Sequence, residues 1–181
     1  MKNALLYTVL IAGSLSMLAG CATAPDTEAK KTELHTSVMN NMTRIEALDP
    51  TLKRQVDNAY GYAIFPSVAK GGAIVGGAYG RGEVYEQGKR VGWSDLSQAT
   101  IGAQLGGQTF SELILFENKA AMDNLKNGKL KFAAAASAVA MKSGAADTAK
   151  YTDGVMVFVD PIAGLMVEAA IGGQSFSFQP T

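Results

Sequence analysis

One cysteine, one histidine and one tryptophan among 181 residues leave little material for several common kinds of chemistry. The single thiol, Cys21, can form no disulfide within the chain and no cysteine-based zinc site. His35 has no second histidine or thiol to act with and is expected on the surface. Ser94, Ser97 and Ser111 sit in no GxSxG elbow, so no hydrolase triad is spelled out. Asp147, Asp153, Asp160 and Glu168 are scattered without EF-hand or HExxH spacing, and Gly80-Arg81-Gly82 lacks the rest of a nucleotide-binding GxGxxG. No catalytic residue, metal or cofactor is therefore expected, and the chain reads as a non-enzyme. An excess of one charge is also missing: 16 basic groups face 16 acidic ones, which argues against nucleic acid as a partner. Proline is scarce at 5 residues, whereas glycine reaches 20 and falls inside apolar runs, pointing to packed backbone rather than a flexible linker.

The lone cysteine has an explanation at the N-terminus. Lys2 supplies a positive start, and an apolar run over residues 5–18 follows, too short to span a bilayer, for which roughly 20 apolar residues are needed. It ends in Leu18-Ala19-Gly20-Cys21, which resembles the lipobox of bacterial lipoproteins. On this reading residues 1–20 are a signal peptide, Cys21 is lipidated, residues 21–31 form a tether and residues 32–181 form the folded domain. Removing the first 20 residues of the 181 leaves 161, which suits one domain. Several acyl chains hold a protein durably where one is marginal. Ala22 after the cysteine, by resemblance to Gram-negative lipoprotein sorting, favours the periplasmic face of the outer membrane.

Along the mature chain, Leu34, Val38, Met42, Ile45 and Leu48 recur at spacings of three and four, predicting an amphipathic helix. Its apolar stripe is expected to pack on a sheet rather than lie on lipid. Asp49-Pro50 punctuates the chain before a second short helix over 50–58. The period then turns extended. Strands are predicted over 60–65, stopped by Pro66, and over 73–79, 83–86, 91–96, 99–105 and 108–116. A helix over 118–127 is capped by Asn118 and ended by Gly128. Residues 131–141 are read as a strand despite their alanines, 142–153 as a polar stretch, and 155–159, 165–170 and 174–178 as three strands with turns at Asp160-Pro161 and Gly172-Gly173. The expected class is α+β: two helices, then a curved, mainly antiparallel sheet, a partly closed barrel, with one inserted short helix.

Ala63-Ile64-Phe65, Lys70-Gly71-Gly72, Gly76-Gly77, Gly80-Arg81-Gly82, Trp93-Ser94, Ile101-Gly102, Gly106-Gly107 and Gly164-Leu165 follow one another in an order that resembles the SYLF domain family over residues 52–178. Many of its members carry a proline soon after the tryptophan-serine pair, where this chain has Asp95-Leu96. The resemblance implies a phospholipid-binding domain. Actin binding, a property of some eukaryotic members, is not carried over to an exported bacterial protein. Anionic phospholipids are the implied ligands.

Basic groups attract anionic headgroups by about 1 kcal/mol each near a membrane surface, and aromatic side chains seat at the interface. Lys70, Arg81, Lys89, Arg90 and Trp93 are the candidate headgroup residues on these grounds. Lys126, Lys129 and Lys131 read as a solvated turn. The leading expectation is a membrane-tethered, phospholipid-binding lipoprotein. The alternative is a structural or interaction lipoprotein that meets an envelope protein partner.

Overall fold

The computed structural model describes residues 24–132 and 138–181. The predicted signal peptide, Cys21 and the middle of the strand predicted over 131–141 lie outside these residues.

The first helix, α1, runs Glu28–Leu48 and so begins inside the stretch read as a tether. Thr27 caps it by accepting from Lys30 N at 3.2 Å. Upstream, Ala24 is buried and donates its N–H to Gln179 Oε1 at 3.0 Å. Val38 and Ile45 are buried on the sheet with Leu34 and Met42 beside them, while Leu48 at the end of the stripe is exposed. After Asp49 comes α2, Leu52–Asn58. Burial alone would raise the Asp49 carboxyl, but bonds from the Ala146 N–H, the Thr51 hydroxyl and N–H, and the Gly144 N–H hold it below its ordinary value. Its Oδ2 accepts from Ala146 N at 2.7 Å, pinning α2 to a short helix, α4, at Ala145–Thr148, inside the stretch expected to be merely polar. Between them in sequence lies α3, Lys119–Lys126, with Asn118 Oδ1 accepting from Ala121 N at 3.0 Å and Gly128 at a φ of +64° beyond it.

The strands are fewer and longer than the sequence suggests. They are β1 Gly61–Gly72, β2 Val75–Glu86, β3 Lys89–Phe116, β4 Lys131–Phe132, β5 Ala138–Ala140 and β6 Val155–Pro180. Pro66 does not stop β1: it falls where the register slips between Ile64 and Val68, a place that tolerates a missing N–H. Pro161 likewise sits beside the slip opposite Thr109 and Phe110, so Asp160-Pro161 is no turn. Gly172 and Gly173 pair in unbroken register with Thr100 and Ala99, and that predicted turn is absent as well. A two-residue turn at Gln87 and Gly88 joins β2 to β3, with φ of +49° and +77°, as a tight hairpin between twisted strands requires.

The long β3 bends around the β1–β2 hairpin. Its first part pairs with β2, from Glu86↔Lys89 to Val75↔Ile101, and its second part with β1, from Gly72↔Gly106 to Gly61↔Phe116. On its other edge β6 accompanies it from Gly92↔Pro180 to Phe116↔Val155. β4 adds antiparallel to β6, and β5 adds parallel to it. Over the described residues the molecule is thus α+β, with a mixed but mainly antiparallel sheet of six strands.

Two apolar clusters hold it together. One, between the folded halves of the sheet and α3, includes Phe65, Val84, Leu96, Ile114, Phe116, Met122 and Leu125. The other lies under α1, α2 and α4 and includes Leu52, Ile64, Leu113, Leu115, Met156 and Phe158. Among the described residues the side chains of both clusters and their fringes come from residues 34–178, and a fragment starting at Ala22 retains these.

Candidate functional site

At the end of the sheet nearest the start of α1, Trp93 is buried, with Lys31 Nζ 5.2 Å and Arg90 Cζ 5.3 Å from its ring centroid. Arg90 also donates to Glu83 Oε1 at 2.6 Å. The Glu83 side chain is fully buried, and its Oε2 receives Tyr85 Oη at 2.6 Å and lies 3.0 Å from His35 Nδ1. The single histidine, expected at the surface, is therefore half-exposed and bound to a buried carboxylate 48 residues away. The nearby ring of Tyr62 stacks on Tyr85 at 4.7 Å.

The five predicted headgroup residues do not form one site. Arg90 and Trp93 meet in this cluster, and Lys89 is exposed beside the adjoining turn. Arg81 faces Asp95, Nε to Oδ1 at 2.8 Å, and reaches Tyr79 Oη at 3.2 Å. Lys70 lies toward the other end of β1, on the wall of an open cavity with Glu112 and Gln174. The two arginines are engaged by carboxylates and the tryptophan is packed, so their first role is to hold strands and helix together. Lys31 and His35 complete the Trp93 cluster. Helical spacing puts them one turn apart, but nothing in the sequence tells which strand they face.

The opposite end of the sheet, where β1 turns into β2, differs in kind. Gly102 N donates to Ile74 O at 2.9 Å and Gln104 N to Ala73 O at 3.0 Å, so the turn is tied to the bend of β3. Around it Ile74, Val75, Ile101, Leu105 and Leu165 are displayed to solvent, from 66% exposed at Ile101 to 91% at Leu165. Along β3 the alternation is inverted: Ala99, Ile101, Ala103 and Leu105 face outward, whereas Gln98, Thr100 and Gln104 are buried. Thr100 Oγ1 bonds to Gln104 Oε1 inside at 2.9 Å. Apolar-out, polar-in alternation is the pattern of strands that meet hydrocarbon on their outer face, and a contiguous exposed apolar patch marks an interaction surface. The trace was present in the sequence as Gln-Ala-Thr-Ile-Gly-Ala-Gln-Leu over 98–105, but periodicity alone does not tell which face is outside.

Among the described residues no helix is long and apolar enough to cross a membrane, and no cluster of three histidine, cysteine or acidic residues could hold a metal ion. No family model matches the chain. The chain is similar to Beta cell expansion factor A of Aeromonas veronii, with 31% identity over 129 residues, covering 70% of this chain and 49% of that protein. It thus spans about half the length of the curated relative it matches.

Proposed function

We propose that the protein is a lipid-anchored envelope protein of the SYLF type that engages phospholipid without catalysing a reaction. Cys21 is its anchor, the outer membrane its site, and its sheet is read as a partly closed barrel. One observation carries the lipid reading: the inverted alternation at the bend of β3, with Ile74, Val75 and Leu165 displayed around it. The same observation shifts the expected mode of contact. Arg81 and Arg90 face Asp95 and Glu83, whereas the apolar end has large side chains in solvent. Contact with acyl chains at the interface therefore leads, and attraction to anionic headgroups assists.

The fragment from Ala22 onward is floated with liposomes of phosphatidylglycerol and of phosphatidylcholine across a salt series. Retention of binding in high salt is expected, because screening acts on exposed charge and not on apolar burial. Leu105→Asp with Leu165→Asp should abolish flotation, while Lys89→Glu should weaken it only on the anionic vesicles. Absence of binding to either lipid overturns this reading and favours the envelope protein partner. Binding that is unchanged in the double aspartate variant removes the bare end from it.

A further inference from the structure

Inside the fold, Glu112 of β3 and Gln174 of β6 reach each other across the space between the two parts of the sheet. Gln174 Nε2 donates to Glu112 Oε2 at 2.8 Å. Glu112 Oε1 and Gln174 Oε1 have no hydrogen-bond partner, although the residues are only 1% and 2% exposed. Both border a cavity of about 240 Å³ whose wall is otherwise mixed, with Phe110, Ala138, Ala140, Val159 and Pro161 on its apolar side and Lys70, Gln98 and Gln108 on its polar side. Buried polar atoms are almost always paired, and an ionised carboxylate can only accept. The chemistry wanted by two orphan acceptors on residues of one cavity wall is therefore a donor with more than one N–H. Cation and carboxylate together strengthen such bonds, and the apolar wall asks for a short hydrocarbon body.

We propose that this cavity binds a small primary amine, its ammonium group donating to Glu112 and Gln174 and its alkyl part packing on Phe110 and Val159. The carboxyl is tuned for this. Burial pushes Glu112 up to about 7, the bond from Gln174 and the charge of Lys70 drawing it partly back. Among the described residues, Lys70 of β1 is the other titratable side chain on the cavity wall; β3 adds the neutral Gln98, Gln108 and Phe110, β5 adds Ala138 and Ala140, and β6 adds Val159, Pro161 and Gln174. A bound ammonium ion replaces the proton that an empty site takes up near neutrality. The site is separate from the bare end of the sheet and does not depend on membrane contact.

The fragment from Ala22 is titrated with butylammonium chloride, 1-butanol and sodium butyrate at pH 8, with ligand-observed NMR as the readout. Butylammonium should saturate the site and bind at least about tenfold more tightly than 1-butanol, in line with a charged rather than a neutral donor. Below pH 7 its affinity should fall about tenfold per unit as Glu112 takes up its proton. Glu112→Gln should remove both the binding and the pH dependence. Ala138→Leu narrows the cavity without touching the carboxyl, and it should also block binding, which keeps the test valid if the first variant perturbs the fold. Equal binding of 1-butanol, a preference for butyrate directed by Lys70, or unchanged binding in Ala138→Leu would overturn the proposal. None of these results would alter the outcome of liposome flotation.

Discussion

The two parts of β3 have the same neighbour on one edge and opposite surroundings on their faces. From Phe110 to Phe116 the strand is buried on both sides, with Leu113 and Leu115 under the helices and Ile114 and Phe116 against the inner cluster. From Ser97 to Leu105 no helix among the described residues buries its outward face, and each outward side chain is exposed while Gln98, Thr100 and Gln104 turn inward. One continuous strand therefore serves as a protein core along one stretch and as an apolar surface along the other. Stability is concentrated in the covered part, which leaves the bare part open to be shaped by what it touches.

The strongest way to break this contrast is to truncate one leucine in each part. Leu113→Ala is expected to cost about 2–5 kcal/mol, as loss of a buried leucine generally does, whereas Leu105→Ala should stay within about 0.5 kcal/mol. Urea denaturation of the two variants reads the difference, and equal costs would mean that the bare part is also core. A second test uses pH. Glu112 has its folded value raised to about 7 from an ordinary 4.5, so the folded state holds the proton more tightly than the unfolded one. Its contribution is unpenalised below the unfolded value, and stability is lost as pH rises through 4.5 toward 7, by about 3 kcal/mol in full. Glu112→Gln should therefore gain on the wild type between pH 5 and pH 8, and parallel profiles would place the carboxyl in a wetter setting. The smallest of the three effects belongs to the junction. Gly164 has a φ of +90°, and a Cβ there would lie 2.3 Å from Gly107 O. Gly164→Ala should cost about 1–3 kcal/mol by thermal denaturation, mainly through strain beside the bare end.

Much of the helical part was legible because its signals are local. Asn118 and Gly128 bracket α3, and the spacing from Leu34 to Ile45 marks the face of α1 that packs. The strands were cut too short because Pro66, Pro161 and the glycine pairs are punctuation only when no partner strand overrides them. Here β6 runs past Pro161 and past Gly172-Gly173, since β3 supplies register on both sides of each. Sequence also placed Lys70, Arg81, Lys89, Arg90 and Trp93 in one group because they lie within 24 positions of one another, yet strand length separates Lys70 from Trp93. The partners that give Glu112 and His35 their character lie 62 and 48 residues away, at Gln174 and Glu83. No local pattern encodes such meetings.

The bond from Ala24 to Gln179 has a geometric result for the anchoring proposed at Cys21. Gln179 is level with Trp93, and Ile101 lies eight residues further along β3, about 26 Å at the usual rise of a strand. Two residues separate Cys21 from Ala24, so the leash of three peptide units reaches at most about 11 Å. With the lipid anchor proposed at Cys21 so closely tied to one end and the apolar rim at the other, both can rest on one leaflet only when the strands lie flat along it, like a plank moored at its stern.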